Sequence, residues 1–142
     1  MSWLPNIEPV TLFVMLFAAV FGLKSLYIVY VYVLLEISVY GIGTWNLMYL
    51  YVWTILAVAA WLLRKQSHPL PWALLAGVFG LCFGALCAPV DFLLGDIWYV
   101  LSKWASGILF DVLHCAGNFV LALVGFVPLR KLLTRLNSAI LR

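Results

Sequence analysis

The sequence predicts an all-α polytopic membrane protein, a bundle of about five transmembrane helices. Hydrophobic residues make up 67% of the chain and charged residues 9%, which leaves too little polar surface for a water-soluble fold. Turn residues divide the apolar sequence into segments close to the roughly 20 residues that a spanning helix needs. Most basic residues follow the ends of alternate segments, a pattern typical of cytoplasmic loops.

Glycine, proline and charged residues bound the segments of this predicted single domain, which covers 1–142. Gly22 ends the first segment, Gly41 and Gly43 end the second, and Arg64 and Lys65 end the third. A proline-rich turn precedes the fourth segment, and a charged loop precedes the fifth. The predicted spans are 8–22, 25–40, 46–63, 72–94 and 105–127, followed by an amphipathic basic tail over 129–142.

The distribution of charge predicts the orientation of the chain. Seven of the eight Lys and Arg residues fall on one side of the membrane, while Lys103 falls on the other side with Glu8, Asp91 and Asp96. The basic side is the cytoplasmic one by the positive-inside rule. Five crossings then place the N-terminus outside and the C-terminus inside. The bases lie at span ends rather than along a stripe, so we expect a lipid bilayer and no nucleic acid as partner.

Polar side chains recur at helical spacing within the predicted spans. Asp111, His114 and Asn118 lie at steps of three and four, so they share one face of the fifth span. Such residues are costly in a membrane unless they are paired or functional. Similar polar faces occur near the outer ends of the other spans. The sequence therefore predicts a ligand pocket that opens to the outside.

Small residues form a stripe on the fourth span, where a neighbouring helix can approach closely. Its members are Gly77, Gly80, Gly84 and Ala88. The three cysteines of the chain lie in apolar spans and lack metal-ligand spacing, so we interpret them as packing residues and expect neither a metal site nor a cofactor.

Two stretches of the chain carry a family resemblance. One runs from Leu4 to Thr11 (LPNIEPVT) and continues to the turn that begins at Gly41, and the other runs from Phe110 to Ala122 (FDVLHCAGNFVLA). In order and spacing they resemble the substrate-binding S components of energy-coupling factor (ECF) transporters.

The resemblance implies a membrane subunit that binds a vitamin or similar molecule near the outer face of the prokaryotic cytoplasmic membrane. It also implies a transmembrane coupling subunit and cytoplasmic ATPase subunits as partners, and no covalent reaction. The implied substrate-binding residues are Asn6, Glu8, Glu36, Tyr40, Trp45, Asn46, Tyr49, Asp111, His114 and Asn118.

The chain departs from that family at its beginning. S components have six helices, and the LPNIEP stretch resembles the loop after the first of them, so we expect this chain to lack the first family helix. The family docks its coupling subunit partly on that helix. Candidate substitute surfaces are Ala18, Ala19 and Gly22, or the face of Gly80 and Gly84.

Two other classes of function remain open from the sequence. Asp111 and His114 are a possible acid/base pair of a small intramembrane enzyme, with no nucleophile or metal set to complete the chemistry. Alternatively, the chain is a structural or assembly protein whose Gly80 and Gly84 face packs a partner helix. The aromatic residues near the predicted pocket favour a flat heterocyclic ligand without identifying it.

Overall fold

A computed structural model describes residues 9–140 of the chain. These residues form α-helices joined by short turns, and no β-strand occurs among them. The helices are α1 (Val10–Phe21), α2 (Ser25–Tyr40), α3 (Thr44–Leu62), α4 (Pro69–Leu81), α5 (Phe83–Asp91) and α6 (Ile97–Ile140).

Four helical stretches in this part of the chain are long and apolar enough to cross a membrane. They are Val10–Tyr40, Thr44–Leu62, Pro69–Asp91 and Ile97–Ile140. The predicted all-α fold with membrane-spanning helices is confirmed at this level.

The first of these stretches folds back on itself at Gly22. This residue has a φ of 65°, in the left-handed region that favours glycine. Val10 and Tyr32 line one apolar cavity of about 320 Å³, although a continuous helix would separate these two residues by roughly 33 Å. α1 and α2 therefore lie side by side as separate helices.

The last two predicted spans differ from the observed helices. Cys82, with φ of −90° and ψ of 0°, interrupts the fourth span and separates α4 from α5. α6 is one helix of 44 residues that begins well before position 105 and continues through Pro128 into the basic tail. Leu129 and Leu133 pack against the core, and this burial stabilises the helix beyond the proline.

α4 and α6 pack with their backbones in close approach. A Cβ atom on Gly80 would lie 2.8 Å from the backbone C and O of His114, and one on Gly77 would lie 3.4 Å from Phe119 Cβ. The glycine stripe therefore receives α6 of the same chain, as small residues in membrane helices allow. The expectation that Gly80 offers a surface to a separate partner helix is wrong, because α6 already occupies it.

The second candidate docking surface is also internal. Ala18 and Ala19 of α1 are both buried, and Gly22 lies against Trp61 of α3. The residues that were expected to dock a partner subunit therefore pack into the core of the bundle instead.

The bundle has two ends of different chemistry. We call one the Asp91 end, where α3 begins, α5 ends and α6 begins. We call the other the Arg64 end, where α3 ends, α4 begins and the basic part of α6 starts at Arg130. The Asp91–Lys103 ion pair lies at the first of these ends, whereas Lys65, Arg130, Lys131 and Arg135 lie at the second.

α1 and α6 run in the same direction. Thr11 contacts Asn118, and further along both helices Leu12 lies near Gly125. Further still, Phe17 and Leu136 line one small apolar cavity. The contacts advance together along the two helices, so α1 and α6 both run from the Asp91 end to the Arg64 end.

Candidate ligand cavity

A cavity of about 220 Å³ lies at the Asp91 end, between α3, α5 and α6. Its polar wall is the ion pair between Lys103 Nζ and Asp91 Oδ1, and Asp91 is only 5% exposed. Coulomb attraction at a partly buried site is stronger than at the protein surface, so the pair fixes the rim of the cavity. The lining also includes Met48, Gly84, Cys87, Trp104 and Gly107.

Asp111 lies one turn along α6 from Gly107, behind the part of the cavity wall that Gly84 forms. The backbone N–H of Gly84 donates to Asp111 Oδ1 at 3.2 Å. A Cβ on Gly84 would lie 2.6 Å from Asp111 Oδ2 and 3.0 Å from Trp104 Cδ1, so a larger residue there would have to displace the Asp111 side chain. Asp111 Oδ2 is buried and has no hydrogen-bond partner among residues 9–140.

The helix break at Cys82 explains why Asp111 is held there. Because α5 starts again after this break, its first N–H groups lack partners in the preceding turn. The N-terminus of a helix carries partial positive charge, which favours a carboxylate beside it. A sequence feature that shortens the fourth span therefore creates the donor that positions Asp111.

His114 lies one turn further along α6 and is 3% exposed. Neither Nδ1 nor Nε2 has a hydrogen-bond partner within the described residues. The imidazole packs edge-on against Phe83, with 5.1 Å between ring centroids and an interplanar angle of 67°. Asp111 and His114 form no hydrogen bond to each other, so neither side chain satisfies the other.

Trp53 of α3 completes this region. Its ring centroid lies 5.9 Å from that of Phe83, and its Nε1 is buried without a partner in the described chain. Phe83 thus packs against both Trp53 and His114. The side chains that carry these unpaired atoms lie around the start of α5, deeper in the bundle than the cavity: Asp111 contacts Gly84, and Trp53 and His114 pack against Phe83.

The ten predicted substrate-binding residues differ in their burial. Four are buried, two are half-buried, two are exposed, and two lie outside the described residues. The buried ones are Asn46, Asp111, His114 and Asn118; the half-buried ones are Glu36 and Tyr49; the exposed ones are Tyr40 and Trp45; and Asn6 and Glu8 lie outside residues 9–140.

Two of the buried residues have local structural partners. Asn118 Nδ2 donates to Thr11 Oγ1 at 3.1 Å, which ties α6 to α1. Asn46 Oδ1 accepts from the backbone N–H of Gly43 at 2.7 Å and holds the turn before α3, although Asn46 Nδ2 is buried and unpaired. These bonds supply structural roles for the oxygen of Asn46 and the amide nitrogen of Asn118.

Tyr40 and Trp45 contribute exposed aromatic surface at the Asp91 end. Their exposed fractions are 68% and 42%, respectively. Aromatic residues in this position are typical of a membrane interface. The 220 Å³ cavity is lined by none of the ten predicted residues, although Asp111 contacts Gly84 of its wall.

Sequence reasoning missed most of the cavity wall. It placed Asp91 and Lys103 at the same side of the membrane, but their pairing depends on the turn between α5 and α6. Gly84 was identified as a packing residue, and its N–H became a donor only because the helix breaks at Cys82. The sequence does not distinguish Phe83 and Met48 from the many other apolar residues of the predicted spans.

The cavity offers both charges and apolar surface to a small molecule. Lys103 is a donor, Asp91 is an acceptor, and Trp104 provides an aromatic face. Its volume lies below the roughly 300–1,000 Å³ of most drug-sized ligand sites, so the arrangement favours a compact ligand. Within residues 9–140, no three His, Cys, Asp or Glu side chains come together as a metal site.

Comparison with known proteins gives no relative for this chain: no family model, no curated protein and no solved structure matches it.

Proposed function

We propose that this chain is the substrate-binding subunit of an ECF-type uptake transporter, which captures a vitamin or related small molecule for ATP-driven import. One observation carries the proposal: Trp53, Asp111 and His114 all have buried polar atoms without a partner in the described chain, and they pack against Phe83 and Gly84 at the start of α5, where Gly84 lines the cavity. A buried polar atom without a partner costs about 1–3 kcal/mol. A ligand that enters the cavity and pairs these atoms accounts for their presence together.

The resemblance to S components supports the same region of the chain. The stretch from Phe110 to Ala122 carries that resemblance, and it includes both Asp111 and His114. The physical argument from unpaired atoms and the sequence resemblance therefore point to one segment of α6.

The proposed topology has five crossings, with the N-terminus outside and the C-terminus inside a prokaryotic cytoplasmic membrane. The fold-back at Gly22 supports counting α1 and α2 separately. The common direction of α1 and α6 supports termini on opposite faces. In this orientation the basic Arg64 end is cytoplasmic and the cavity opens outward.

The cavity walls indicate the chemistry of the cargo. Lys103 and Asp91 at the rim suit a ligand with both an acceptor and a donor, and Asp111 below them suits an amine or ring N–H group. The indole of Trp104 suits an apolar or aromatic portion. We therefore propose a compact, polar heterocyclic cargo.

The proposed subunit binds and releases its cargo without covalent chemistry. A transmembrane coupling subunit and cytoplasmic ATPases supply the energy. Since Gly80, Ala18 and Ala19 are occupied within the bundle, the coupling subunit contacts other exposed apolar surface. α2 provides such surface, because Ser25, Val29 and Val33 are its only buried residues within the described chain.

The test is the small molecule that co-purifies with the protein, identified by mass spectrometry. Asp111→Asn keeps an oxygen for the Gly84 N–H and removes the charge, so it should release the molecule while the protein stays folded. Tyr40→Phe is the matched control, since Tyr40 is exposed outside the cavity, and it should retain the molecule.

Two results would overturn the proposal. One is an empty wild-type protein that also fails to bind any member of a panel of water-soluble vitamins. The other is release of a chemically altered molecule, which would indicate the intramembrane enzyme with Asp111 and His114 as its acid/base pair.

A further inference from the structure

A second concave site lies at the Arg64 end, far from the ligand cavity. It is a groove of about 340 Å³ between the turn after α3 and the basic part of α6. We call it the basic groove, and its polar lining residues are Lys65, Gln66, Ser67, Arg130, Lys131, Thr134 and Arg135. Four of the eight Lys and Arg residues of the chain converge there from two distant segments.

Arg130 holds the two walls of the basic groove together. Its Nη1 donates to the backbone O of Gln66 at 2.6 Å, and its Nη2 donates to the backbone O of Arg64. Its guanidinium carbon also lies 5.6 Å from the ring centroid of Trp72. Because the fork of Arg130 is engaged by carbonyl groups, this residue fixes the geometry of the groove and leaves anion binding to its neighbours.

The other bases of the groove carry uncompensated charge. Lys65, Lys131 and Arg135 form no side-chain hydrogen bond or ion pair with the described residues. The acidic residues in that part of the chain are Glu36 and three aspartates, and none of them lines the groove. Like charges held close together repel, so a bound anion would stabilise this arrangement.

The positive-inside rule alone explains basic residues at a cytoplasmic face, but it does not require them to converge. Dispersed bases in water satisfy the rule equally well. Here the bonds of Arg130 bring the α3 turn and α6 together, and they create a concave surface of one sign with the hydroxyls of Ser67 and Thr134 in its lining. These are the features of a phosphate site.

The position of the basic groove favours a lipid as the source of the phosphate. The groove lies just after the apolar helix α3 and at the start of the basic part of α6, and charged residues that follow an apolar span are expected at the depth of phospholipid headgroups. Basic pockets between membrane helices on the cytoplasmic side bind anionic headgroups. We propose that the basic groove binds the phosphate of an anionic phospholipid through Lys65, Lys131 and Arg135.

The test measures lipid binding to the purified full chain in neutral detergent by native mass spectrometry. The probes are dioctanoyl phosphatidylglycerol, the zwitterionic dioctanoyl phosphatidylcholine, and inorganic phosphate as a competitor. We expect the wild type to bind phosphatidylglycerol at least tenfold more tightly than phosphatidylcholine. Lys131→Gln and Arg135→Gln should each weaken phosphatidylglycerol binding about fivefold, the effect of one base near an anionic surface.

Lys24→Gln is the matched control, because it removes one positive charge at the same end of the bundle but outside the groove. It should leave lipid affinity within twofold of the wild type.

Equal weakening by Lys24→Gln and Lys131→Gln would overturn the proposal in favour of general charge attraction. Displacement of phosphatidylglycerol by an equimolar concentration of inorganic phosphate would overturn the lipid assignment and indicate a soluble anion. Unchanged melting temperatures of all variants would show that these differences report binding.

Discussion

At the Asp91 end, a buried carboxylate meets the ammonium group of Lys103, and deeper polar atoms have no partner. At the Arg64 end, three bases lie in an open groove without an acid among the described residues. Charge is therefore balanced at the rim of one site and left in excess at the other. The comparison indicates that a small neutral or zwitterionic molecule suits the first site, whereas a net anion suits the second.

Burial is the second difference between the two ends. The atoms of Asp111 and His114 are removed from water, so a partner that left them incompletely paired would be costly. The bases of the basic groove remain hydrated, and salt screens their attraction for a ligand. We therefore expect selective binding at the Asp91 end and weaker, salt-dependent binding at the Arg64 end.

The largest expected effect comes from forcing α4 away from α6, the helix that contributes residues to both sites. Gly80→Ala would place a Cβ 2.8 Å from the backbone of His114, and a backbone cannot rotate out of the way. We expect a loss of about 2 kcal/mol in the free energy of unfolding, because overpacking exceeds the gain of about 1 kcal/mol from alanine's helix propensity. Thermal unfolding in detergent measures the change.

Gly107→Ala is the control for that substitution. Nothing lies within 4 Å of a Cβ at Gly107, although this residue is also a helical glycine of α6. Its melting temperature should equal or exceed that of the wild type. A Gly80→Ala protein as stable as Gly107→Ala would refute the close approach of α4 and α6.

The second prediction compares the loss of stability when a charged residue is neutralised at each end. Asp91→Asn removes the carboxylate that pairs with Lys103, and we expect it to destabilise the protein by about 1–3 kcal/mol, less than a fully buried pair because Lys103 is partly exposed. Lys131→Gln at the basic groove should change stability by no more than about 0.5 kcal/mol. Equal losses in urea or thermal unfolding would contradict the difference between the ends.

The smallest effect concerns the geometry of the basic groove. Arg130→Lys keeps the charge but loses the fork that reaches the carbonyl groups of Arg64 and Gln66. We expect about 1 kcal/mol of destabilisation from these lost hydrogen bonds, together with weaker phosphatidylglycerol binding. Retention of both stability and lipid affinity would show that Arg130 does not shape the groove.

The sequence predicted the features that depend on local pattern. Apolar length and turn residues predicted the helices, because both signals are contained within short segments of chain. Steps of three and four predicted that Asp111, His114 and Asn118 share a face. The stripe of Gly77 and Gly80 predicted a close helix neighbour, but the sequence did not show that the neighbour is α6.

The features that depend on distant partners could not be predicted in this way. Asn118 donates to a residue 107 positions away in the sequence, and the donor to Asp111 exists only because α5 begins anew after Cys82. Tyr40 and Trp45 belong to residue types that are common both in the walls of ligand sites and at membrane interfaces. Composition cannot separate those two roles, since both require an aromatic ring with a polar edge.

The central claim is that the buried polar atoms below the cavity serve a ligand at the expense of stability. The most direct test compares melting temperature and ligand retention for the wild type and Asp111→Asn. The account predicts a ligand-free Asp111→Asn protein whose melting temperature equals or exceeds that of the ligand-free wild type, because the substitution removes a buried, partly unpaired charge. A variant that melts at a lower temperature and still retains the wild-type molecule would contradict the account.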